Sequence, residues 1–342
     1  MIQGFRSVSL RVQGSRRQMS TVGGLTLRKP LLLISDIDDT WLGPNAAADA
    51  ASKRLTAFWA ANKWQRPAQQ AAGVEEEEGA APRFALAYNT GRSLPLYEEI
   101  VGLKPGCMAE PVMLVCGVGT RVYHRSGSDP QQAGGGGWEE DLSWRRHISQ
   151  EWDTSAVMAA VEGLQLRQGA LRVELAEARE QHEHKVTLHL AADLMPGAAE
   201  ELEAQLRAQG VVPRFITGPS GHGRAFLDIV PVRAGKGSAA EYVRSSLSWP
   251  CGNTVVAGDS PNDLLMLENP SWHAIVVGNA APGVRQWAEQ QLQAEGSHQG
   301  DGAGGVTPQQ RPGSQGVLVV AKQHTADGVV EGLVQLGFVS LQ

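Results

Sequence analysis

Short, uninterrupted runs of apolar residues recur along the chain, and each run ends in glycine or polar residues. Such a run is typical of a strand that is buried on both faces, as in a parallel sheet. Between the runs, apolar residues recur at helical spacing. The pattern therefore predicts the α/β class, with a doubly wound, mostly parallel sheet. The predicted core strands are 31–34, 84–88, 112–116, 224–230, 254–257, 273–277 and 317–320.

The middle of the chain departs from this regular pattern. Residues 127–137 are rich in glycine, and helical spacing returns at 154–166 and 197–209. Between these helices, 185–190 alternates apolar and polar residues, as a half-buried strand does. We therefore predict an inserted α+β domain, long enough to fold as a unit. The predicted division is a first core segment at 25–125, the inserted domain at 126–222 and a second core segment at 223–342.

Three segments have compositions that predict no packed structure. Residues 1–24 contain four arginines, four serines and no acidic residue, which suits either an organelle transit peptide or a disordered basic start. These two interpretations correspond to a chloroplast and a cytoplasmic location. Residues 66–82 surround a run of four glutamates and are predicted to be a solvated loop. Residues 295–316 are rich in Gly and Gln and are predicted to be disordered.

Composition excludes several classes of partner. The 342 residues carry a formal net charge of −6 without a basic stripe, which argues against nucleic acid. Cys107, Cys116 and Cys251 are far apart and form no C-x-x-C, so neither a disulfide framework nor a zinc site is expected. No apolar run approaches the length of a membrane span, and no membrane partner is expected.

The first core strand ends in a cluster of carboxylates. Asp36, Asp38 and Asp39 occur within four residues and are followed by Thr40. Because Asp is depleted in strands and adjacent carboxylates repel one another, strand formation does not explain this ending. A divalent cation that prefers oxygen ligands would hold the carboxylates together, and Mg²⁺ fits. The alternative is an acidic turn after an ordinary strand.

Three later junctions carry polar groups of complementary kinds. Thr90 opens T-G-R-S before a helix, a pattern that suits either a phosphate cradle or an N-capping turn. Lys236 begins a helix at the positive end of its macrodipole, so it either faces an anion or is solvated. Asp259, Asn262 and Asp263 follow the next buried strand. Because the carboxyl ends of parallel strands share one edge, we expect these groups to lie together.

Gathered at one edge, these groups would perform phosphoryl transfer. Asp36 would attack phosphorus as the nucleophile, and Asp38 would protonate the leaving oxygen and later activate water. Thr90 and Lys236 would bind the phosphoryl oxygens on which negative charge develops. The residues predicted to hold or orient Mg²⁺ are Asp36, Asp38, Asp259, Asn262 and Asp263.

The order of these motifs resembles the haloacid dehalogenase superfamily of phosphohydrolases, and in detail the sucrose-phosphate phosphatases. The motifs are D-I-D-D-T from Asp36, T-G-R-S from Thr90, A-G-K-G around Lys236 and G-D-S-P-N-D around Asp259. The likeness continues in V-G-T-R-V-Y-H and in the ending H-T-A-D-G-V-V-E-G-L, and it covers about 30–338 outside the low-complexity segments.

The resemblance implies a Rossmann-like core with an inserted C2-type cap and Mg²⁺ as the cofactor. It implies hydrolysis of sucrose 6-phosphate to sucrose and phosphate, the last step of sucrose synthesis, with the cap contacting the sugar. It also implies sucrose-phosphate synthase as a protein partner. The substrate-binding residues that it implies are Thr90, Gly91, Arg92, Lys185 and Lys236.

Two residues depart from the pattern of that family. Arg121 stands where the family usually has Glu, and Val232 stands where it usually has Gln. Both changes would remove hydrogen bonds to sugar hydroxyls. One alternative is therefore a phosphatase of another glycosyl phosphate, such as glucosylglycerol or mannosylglycerate phosphate. The other is a catalytically silent, sugar-phosphate-binding regulator of sucrose-phosphate synthase, although the presence of both Asp36 and Asp38 favours an enzyme.

Overall fold

The structure is a computed structural model of the chain, and it describes residues 21–63, 84–125, 137–169, 171–221, 223–296, 309–310 and 316–341. The predicted loop at 66–82 lies outside the described residues. So do the first 20 residues of the predicted transit peptide and most of the predicted disordered segment 295–316.

The described residues form sixteen strands and nine α-helices. The strands are β1 Thr21–Val22, β2 Leu25–Leu27, β3 Leu31–Ser35, β4 Phe84–Asn89, β5 Met113–Cys116, β6 Arg121–Arg125, β7 Trp138–Glu140, β8 Val173–Leu175, β9 Val186–Ala191, β10 Pro213–Gly221, β11 Arg224–Pro231, β12 Thr254–Gly258, β13 His273–Val276, β14 Gln309–Gln310, β15 Val317–Val320 and β16 Val339–Leu341. The helices are α1 Ala46–Asn62, α2 Leu94–Leu103, α3 Leu142–Ile148, α4 Thr154–Gln168, α5 Met195–Ala208, α6 Lys236–Ser246, α7 Leu264–Leu267, α8 Pro282–Gly296 and α9 Thr325–Gln335. None of these helices combines the length and the apolar character that crossing a bilayer requires.

The largest sheet contains nine strands in the order β14–β15–β13–β12–β3–β4–β5–β6–β7. The six strands from β15 to β5 are parallel, and the other three pair antiparallel at the two edges. The chain leaves β3 toward β4 and β5 on one side and returns later to β12 on the other. The predicted α/β class with a mostly parallel, doubly wound sheet is therefore confirmed. Ligands of such sheets bind beyond the strand ends where the order reverses, here between β3 and β12.

The central strand β3 is buried on both faces. Leu33 packs in a cluster with Phe58 of α1 and with α9, whereas Ile34 packs on the opposite face with Val243 of α6 and with α8. All five residues of β3 are buried. Because both faces are covered, every position of the strand favours an apolar side chain, which explains the continuous run in the sequence.

A second sheet contains four antiparallel strands in the order β10–β11–β9–β8. Helices α4 and α5 pack against it, with Val161 and Leu202 contacting a cluster that includes Leu188 and Ile229. This α+β unit, called the cap below, has a hydrophobic core of its own and lies in the chain between α3 and α6.

The bounds of the cap differ from the predicted 126–222. At its start, β7 still pairs with β6 in the nine-stranded sheet, and Trp144 of α3 packs into the core of that sheet. At its end, the predicted core strand 224–230 is β11, which pairs with β9 and β10 of the cap. The cap therefore extends from α4 to β11. The prediction was wrong because the sequence of a strand does not specify which sheet supplies its hydrogen-bonding partner.

A third, small sheet consists of β1, β2 and β16. The turn between β1 and β2 is Gly23-Gly24, with φ values of +60° and +78° that glycine adopts without strain. Leu25 and Leu27 of β2 are buried in the main core. Residues 21–24 therefore belong to the fold, and the predicted boundary after residue 24 was wrong for these four residues.

Candidate active site

Asp36 lies at the centre of the largest sheet, one residue beyond the end of β3. Its backbone N–H donates to the carbonyl oxygen of Ala257 in β12 at 3.0 Å, so the pairing of the two strands fixes its position. The residue is only 4% exposed. The carboxylate is thus held where the strand order reverses.

Lys236 brings a buried ammonium group to Asp36. Gly235 precedes α6 with a φ of +123°, which residues with a side chain rarely adopt, and Lys236 is the first helical residue. The lysine Nζ donates to Asp36 Oδ1 at 2.7 Å and to Asp263 Oδ1 at 2.6 Å. The side-chain amide of Asn89 donates to the carbonyl oxygen of Lys236 at 2.9 Å. The lysine therefore faces anions, which offsets its unfavourable place at the positive end of the helix.

Asp259 and Asp263 complete an acidic cluster with Asp36. Asp263 Oδ2 accepts from the backbone N–H groups of Asp259 at 3.1 Å and Ser260 at 3.0 Å. Thr40 Oγ1 donates to Asp259 Oδ1 at 2.9 Å. These bonds shape the loop after β12 so that the three carboxylates offer oxygens within 4.8 Å of one another.

This cluster holds more negative charge than Lys236 balances. Burial alone lowers the pKa of Lys236, but the adjacent Asp263 and Asp36 more than offset it and raise the pKa, so the lysine is an ammonium ion. Burial and the charge of Asp263 raise the pKa of Asp259 to about 7. Three carboxylates beside one ammonium group leave a surplus that a bound cation would relieve.

The donor set fits a cation that prefers oxygen. Within the described residues, Asp36 and Asp259 each keep one carboxylate oxygen that accepts no hydrogen bond, whereas both oxygens of Asp263 accept. Asn262 Oδ1 accepts from Ser260 Oγ at 2.9 Å at the same loop. Hard oxygen ligands suit Mg²⁺. Asp36 and Asp259 are therefore the residues that could hold Mg²⁺ directly, and Asp263 positions Lys236 and the loop.

Asp38 is paired with Arg92. The Nε and Nη2 groups of Arg92 donate to the two carboxylate oxygens of Asp38 at 2.8 and 2.7 Å. This pair is partly exposed, unlike the pair of Asp36 and Lys236. Thr90 is buried at the start of the loop after β4, and its Oγ1 accepts from the backbone N–H of Arg92 at 3.1 Å.

A cavity of about 400 Å³ opens beside these groups. Among the predicted site residues, Thr90, Asp263 and Lys185 do not line it, although the first two adjoin residues that do. Four lining residues were given no catalytic, binding or metal role from the sequence: Asp39, which was noted only as part of the carboxylate cluster, Leu96, Ser260 and, from the cap, Glu180. The residues that line the cavity are Asp36, Asp38, Asp39, Gly91, Arg92, Leu96, Glu180, Lys236, Asp259, Ser260 and Asn262.

Lys185 lies in the cap, outside the lining of this cavity. Its Nζ donates to Thr187 Oγ1 at 2.8 Å and forms an ion pair with Asp228 at 3.2 Å, and all three residues are buried. A buried ammonium group requires such a partner because an unpaired charge is costly to bury. The contact of Lys185 with substrate therefore stays a prediction.

His182 joins the cap to the core beside these residues. Its Nδ1 accepts from the backbone N–H of His184 at 3.2 Å, and its Nε2 lies 2.9 Å from Thr120 Oγ1. Since Thr120 Oγ1 donates to the carbonyl oxygen of Gly117 at 2.7 Å, the neutral imidazole must be the donor at Nε2. Burial, followed by the positive charges of Arg121 and Lys185, lowers the pKa of His182 to about 2.

This neutral histidine makes stability depend on pH. In the unfolded chain the imidazole takes a proton below its ordinary pKa of about 6.5, whereas the folded protein cannot, so stability is lost as pH falls from about 6.5. We expect the free energy of unfolding to fall by on the order of 1.4 kcal/mol per pH unit from this group between pH 6 and 4. Urea titrations of wild type and His182→Gln, whose amide can replace both hydrogen bonds, measure this slope. Equal slopes in the two proteins would contradict the assignment.

The two residues that depart from the family pattern lie outside the lining of the cavity. Arg121 forms an ion pair with Glu140 at 3.2 Å. The backbone of Val232 is hydrogen-bonded on both sides: its N–H donates to the carbonyl oxygen of Val212, and its carbonyl oxygen accepts from Arg214. Arg121 adjoins His182 and therefore belongs to the junction between cap and core.

Residues 29–308 match the family model described as sucrose-6F-phosphate phosphohydrolase. Sucrose-phosphatase 1 of Nicotiana tabacum is 26% identical over 266 residues, which are 77% of this chain and 53% of the tobacco protein. The chain thus spans about half the length of that relative. Mannosylfructose-phosphate phosphatase of Agrobacterium fabrum is 27% identical over 266 residues and 89% of its own length is covered.

A solved structure shares the fold. The sucrose-phosphatase of Synechocystis, crystallised with sucrose and phosphate, superposes with a TM-score of 0.62 at 24% identity, covering 91% of this chain and 99% of that chain. The likeness extends over both the nine-stranded sheet and the cap, because nearly all of both chains is covered.

Proposed function

Because the chain belongs to the sucrose-6F-phosphate phosphohydrolase family, we propose that it is a glycosyl-phosphate phosphatase with sucrose 6-phosphate as its substrate. The observation that carries the proposal is the buried contact of Lys236 with Asp36, beside Asp259 and in one cavity with Asp38. A fixed nucleophile, a fixed cation and an acid–base group are what hydrolysis through an aspartyl phosphate needs.

In the first step, an oxygen of Asp36 forms a bond to phosphorus and the bond to the sugar oxygen breaks. Protonated Asp38 gives its proton to that oxygen, so the sugar leaves as an alcohol. Lys236 stays beside the oxygens on which negative charge develops. Because Arg92 donates to both carboxylate oxygens of Asp38, binding of a phosphoryl group by Arg92 would free the Asp38 carboxyl group to turn toward the leaving oxygen.

In the second step, water attacks the phosphorus of the aspartyl phosphate. Asp38, now a carboxylate, takes a proton from that water, and the bond between phosphorus and Asp36 breaks to give inorganic phosphate. Asp263 keeps Lys236 in place throughout. Asp36 and Asp259 would hold Mg²⁺, which would neutralise part of the negative charge of the nucleophile and the phosphoryl oxygens.

The departures from the family pattern at Arg121 and Val232 concern the identity of the sugar. Neither side chain offers the acceptor or amide that the family usually has there. The relative from Agrobacterium fabrum is named for another disaccharide phosphate and is similar to this chain over most of its length. A second candidate substrate is therefore a different fructose-containing disaccharide phosphate, such as mannosylfructose phosphate.

The proposal is tested by phosphate release from a panel of sugar phosphates, with Mg²⁺ and with EDTA. We expect kcat/KM for sucrose 6-phosphate to exceed that for glucose 6-phosphate by at least about tenfold, because buried polar groups reject substrates that leave them unpaired. We expect EDTA to remove the activity. A preference for a hexose monophosphate would contradict the substrate, and activity in EDTA would contradict the metal.

The same panel distinguishes an enzyme from a silent binding protein. A regulator of sucrose-phosphate synthase would bind sucrose 6-phosphate and release no phosphate in Mg²⁺. Binding without release, together with co-purification of a sucrose-phosphate synthase, would replace the enzymatic proposal by the regulatory one.

A further inference from the structure

The turn after β3 carries Asp38, the acid–base group of the function proposed above. Within the turn, the carbonyl oxygen of Ile37 accepts from the backbone N–H groups of Trp41 at 3.0 Å and Leu42 at 2.8 Å. The Asp38 side chain is 49% exposed, and its partner Arg92 is a group that the reaction would need for the phosphoryl oxygens. The backbone of the turn, rather than packing around the side chain, must therefore place the Asp38 carboxyl group.

Asp39, the next residue, has an uncommon backbone conformation. Its φ of +56° lies in the left-handed region, which residues other than glycine adopt infrequently. Such conformations persist where the surrounding contacts hold them, and they cluster at functional sites. Here the side-chain amide of Asn279 donates to the carbonyl oxygen of Asp39 at 2.6 Å. This bond fixes the turn at the residue that follows Asp38.

The same side chain holds a second residue with a positive φ. Asn279 Oδ1 accepts at 2.8 Å from the backbone N–H of Thr325, the first residue of α9, whose φ is +49°. This conformation is an outlier for a β-branched residue. One amide group therefore joins the turn after β3 to the start of α9, donating on one side and accepting on the other.

The loop that presents Asn279 is itself fixed on both sides. The backbone N–H of Gly278 donates to the carbonyl oxygen of Gln323 at 2.7 Å, and that of Ala281 donates to the carbonyl oxygen of Asp259 at 2.8 Å. In the sheet, β12 lies between β13 and β3. Asn279 thus extends from the loop after β13 to the turn after β3, two strands away.

We propose that Asn279 is a positioning residue, which holds the turn after β3 so that Asp38 can protonate the leaving oxygen. Asn279 is not among the described residues that line the cavity, so it would act through the backbone of Asp39. Asp36 does not depend on this contact, because Ala257 fixes its backbone and Lys236 its carboxylate. The inference rests on the phosphatase function proposed above and concerns proton transfer to the leaving group.

The test compares kcat/KM for two phosphate esters in wild type and Asn279→Ala. One is the glycosyl phosphate that wild type hydrolyses best in the panel above, whose alcohol must be protonated as it leaves. The other is 2,4-dinitrophenyl phosphate, whose phenolate leaves without a proton. Because kcat/KM covers the steps only as far as the aspartyl phosphate, the later action of Asp38 on water does not enter the comparison.

We expect the ratio of kcat/KM for the glycosyl phosphate to that for the dinitrophenyl ester to fall by about tenfold to hundredfold in Asn279→Ala. A misplacement of about 1 Å can cost this much in a reaction that depends on orientation. Asn279→Asp separates the two bonds, because its carboxylate can still accept from Thr325 but cannot donate to Asp39. The ratio should fall in this variant as well.

The matched control is Asn253→Ala, at the opposite end of β3. The side-chain amide of Asn253 donates to the carbonyl oxygen of Pro30 at 2.7 Å, so the control removes the same kind of bond far from the cavity. We expect it to leave the ratio unchanged.

Several outcomes would overturn the inference. Equal losses on both esters in Asn279→Ala would indicate a merely structural role. An equal fall of the ratio in Asn253→Ala, or a wild-type ratio in Asn279→Asp, would also contradict it, and Asn279→Asp decides the matter if Asn279→Ala does not fold. If wild type releases phosphate from neither ester, the proposed function fails together with the inference. An active wild type with unchanged ratios in both Asn279 variants overturns the inference alone.

Discussion

Asp36→Asn is expected to lower the rate of phosphate release by at least about ten-thousandfold, as the loss of the nucleophile does in other enzymes that form a covalent intermediate. The amide has the same shape, and its oxygen can still accept from Lys236, but it cannot form the bond to phosphorus. The substitution also removes one of three buried negative charges, so folding should be preserved. Single-turnover phosphate release and thermal unfolding measure the two effects.

A matched control for this variant lies three residues away. Asp39 lines the same cavity and has a φ of +56°, a conformation that Asn tolerates well. Its backbone carbonyl oxygen accepts from Asn279 at 2.6 Å, and this bond does not depend on the side chain. Asp39→Asn should therefore change kcat by less than about tenfold. Turnover retained in Asp36→Asn would refute the assignment of the nucleophile.

Lys236→Met is expected to destabilise the fold as well as the reaction. Removal of the ammonium leaves Asp36 and Asp263 buried without their cation, and breaking a buried pair in this way costs about 3–5 kcal/mol. The lost stabilisation of the phosphoryl oxygens should lower kcat by about a hundredfold or more. Urea unfolding at neutral pH in EDTA gives the first effect, and phosphate release in Mg²⁺ gives the second.

The cause of that destabilisation can be isolated with a second substitution. Asp263→Asn keeps an acceptor for the N–H groups of Asp259 and Ser260, and its amide can donate toward Asp36. Combined with Lys236→Met, it should therefore recover part of the lost stability, because one uncompensated charge has been removed. The electrostatic explanation would be contradicted if the loss of unfolding free energy in the double variant exceeded the sum of the losses in the two single variants.

The sequence predicts the parts of the fold that depend on local burial. The run at 31–34 is recognisable because β3 is covered on both faces. The misfit of Lys236 at a helix start leaves an anionic partner and solvation as alternatives, and the structure gives it two buried carboxylates. The 15-residue helix α8 was not predicted, and neither was β10, where Gly218 and Pro219 weaken the strand pattern. Both omissions reflect tertiary packing that overrides weak local signals.

Predictions about the site were limited by long-range packing. The motif at Asp259 indicates the loop, but not that Thr40 from another segment donates to it. Lys185 resembles a substrate ligand in sequence, whereas the cap gives it Asp228 as a partner. Glu180 has no local signal at all, since an acidic residue in a loop is common. Its place over the cavity follows only from how the cap lies on the core.

The contact between Lys236 and Asp36 joins residues 200 positions apart. This contact requires that β12 pairs with β3 while the intervening cap stays outside the sheet as an insertion. Contacts between residues that are far apart in the sequence form slowly, because closing a long loop costs entropy. During synthesis, β3 emerges on the order of ten seconds or more before its partner strand β12 at ~5–20 residues per second. A growing chain thus exposes an unpaired apolar strand edge for that interval, which is where chaperone binding or aggregation would act.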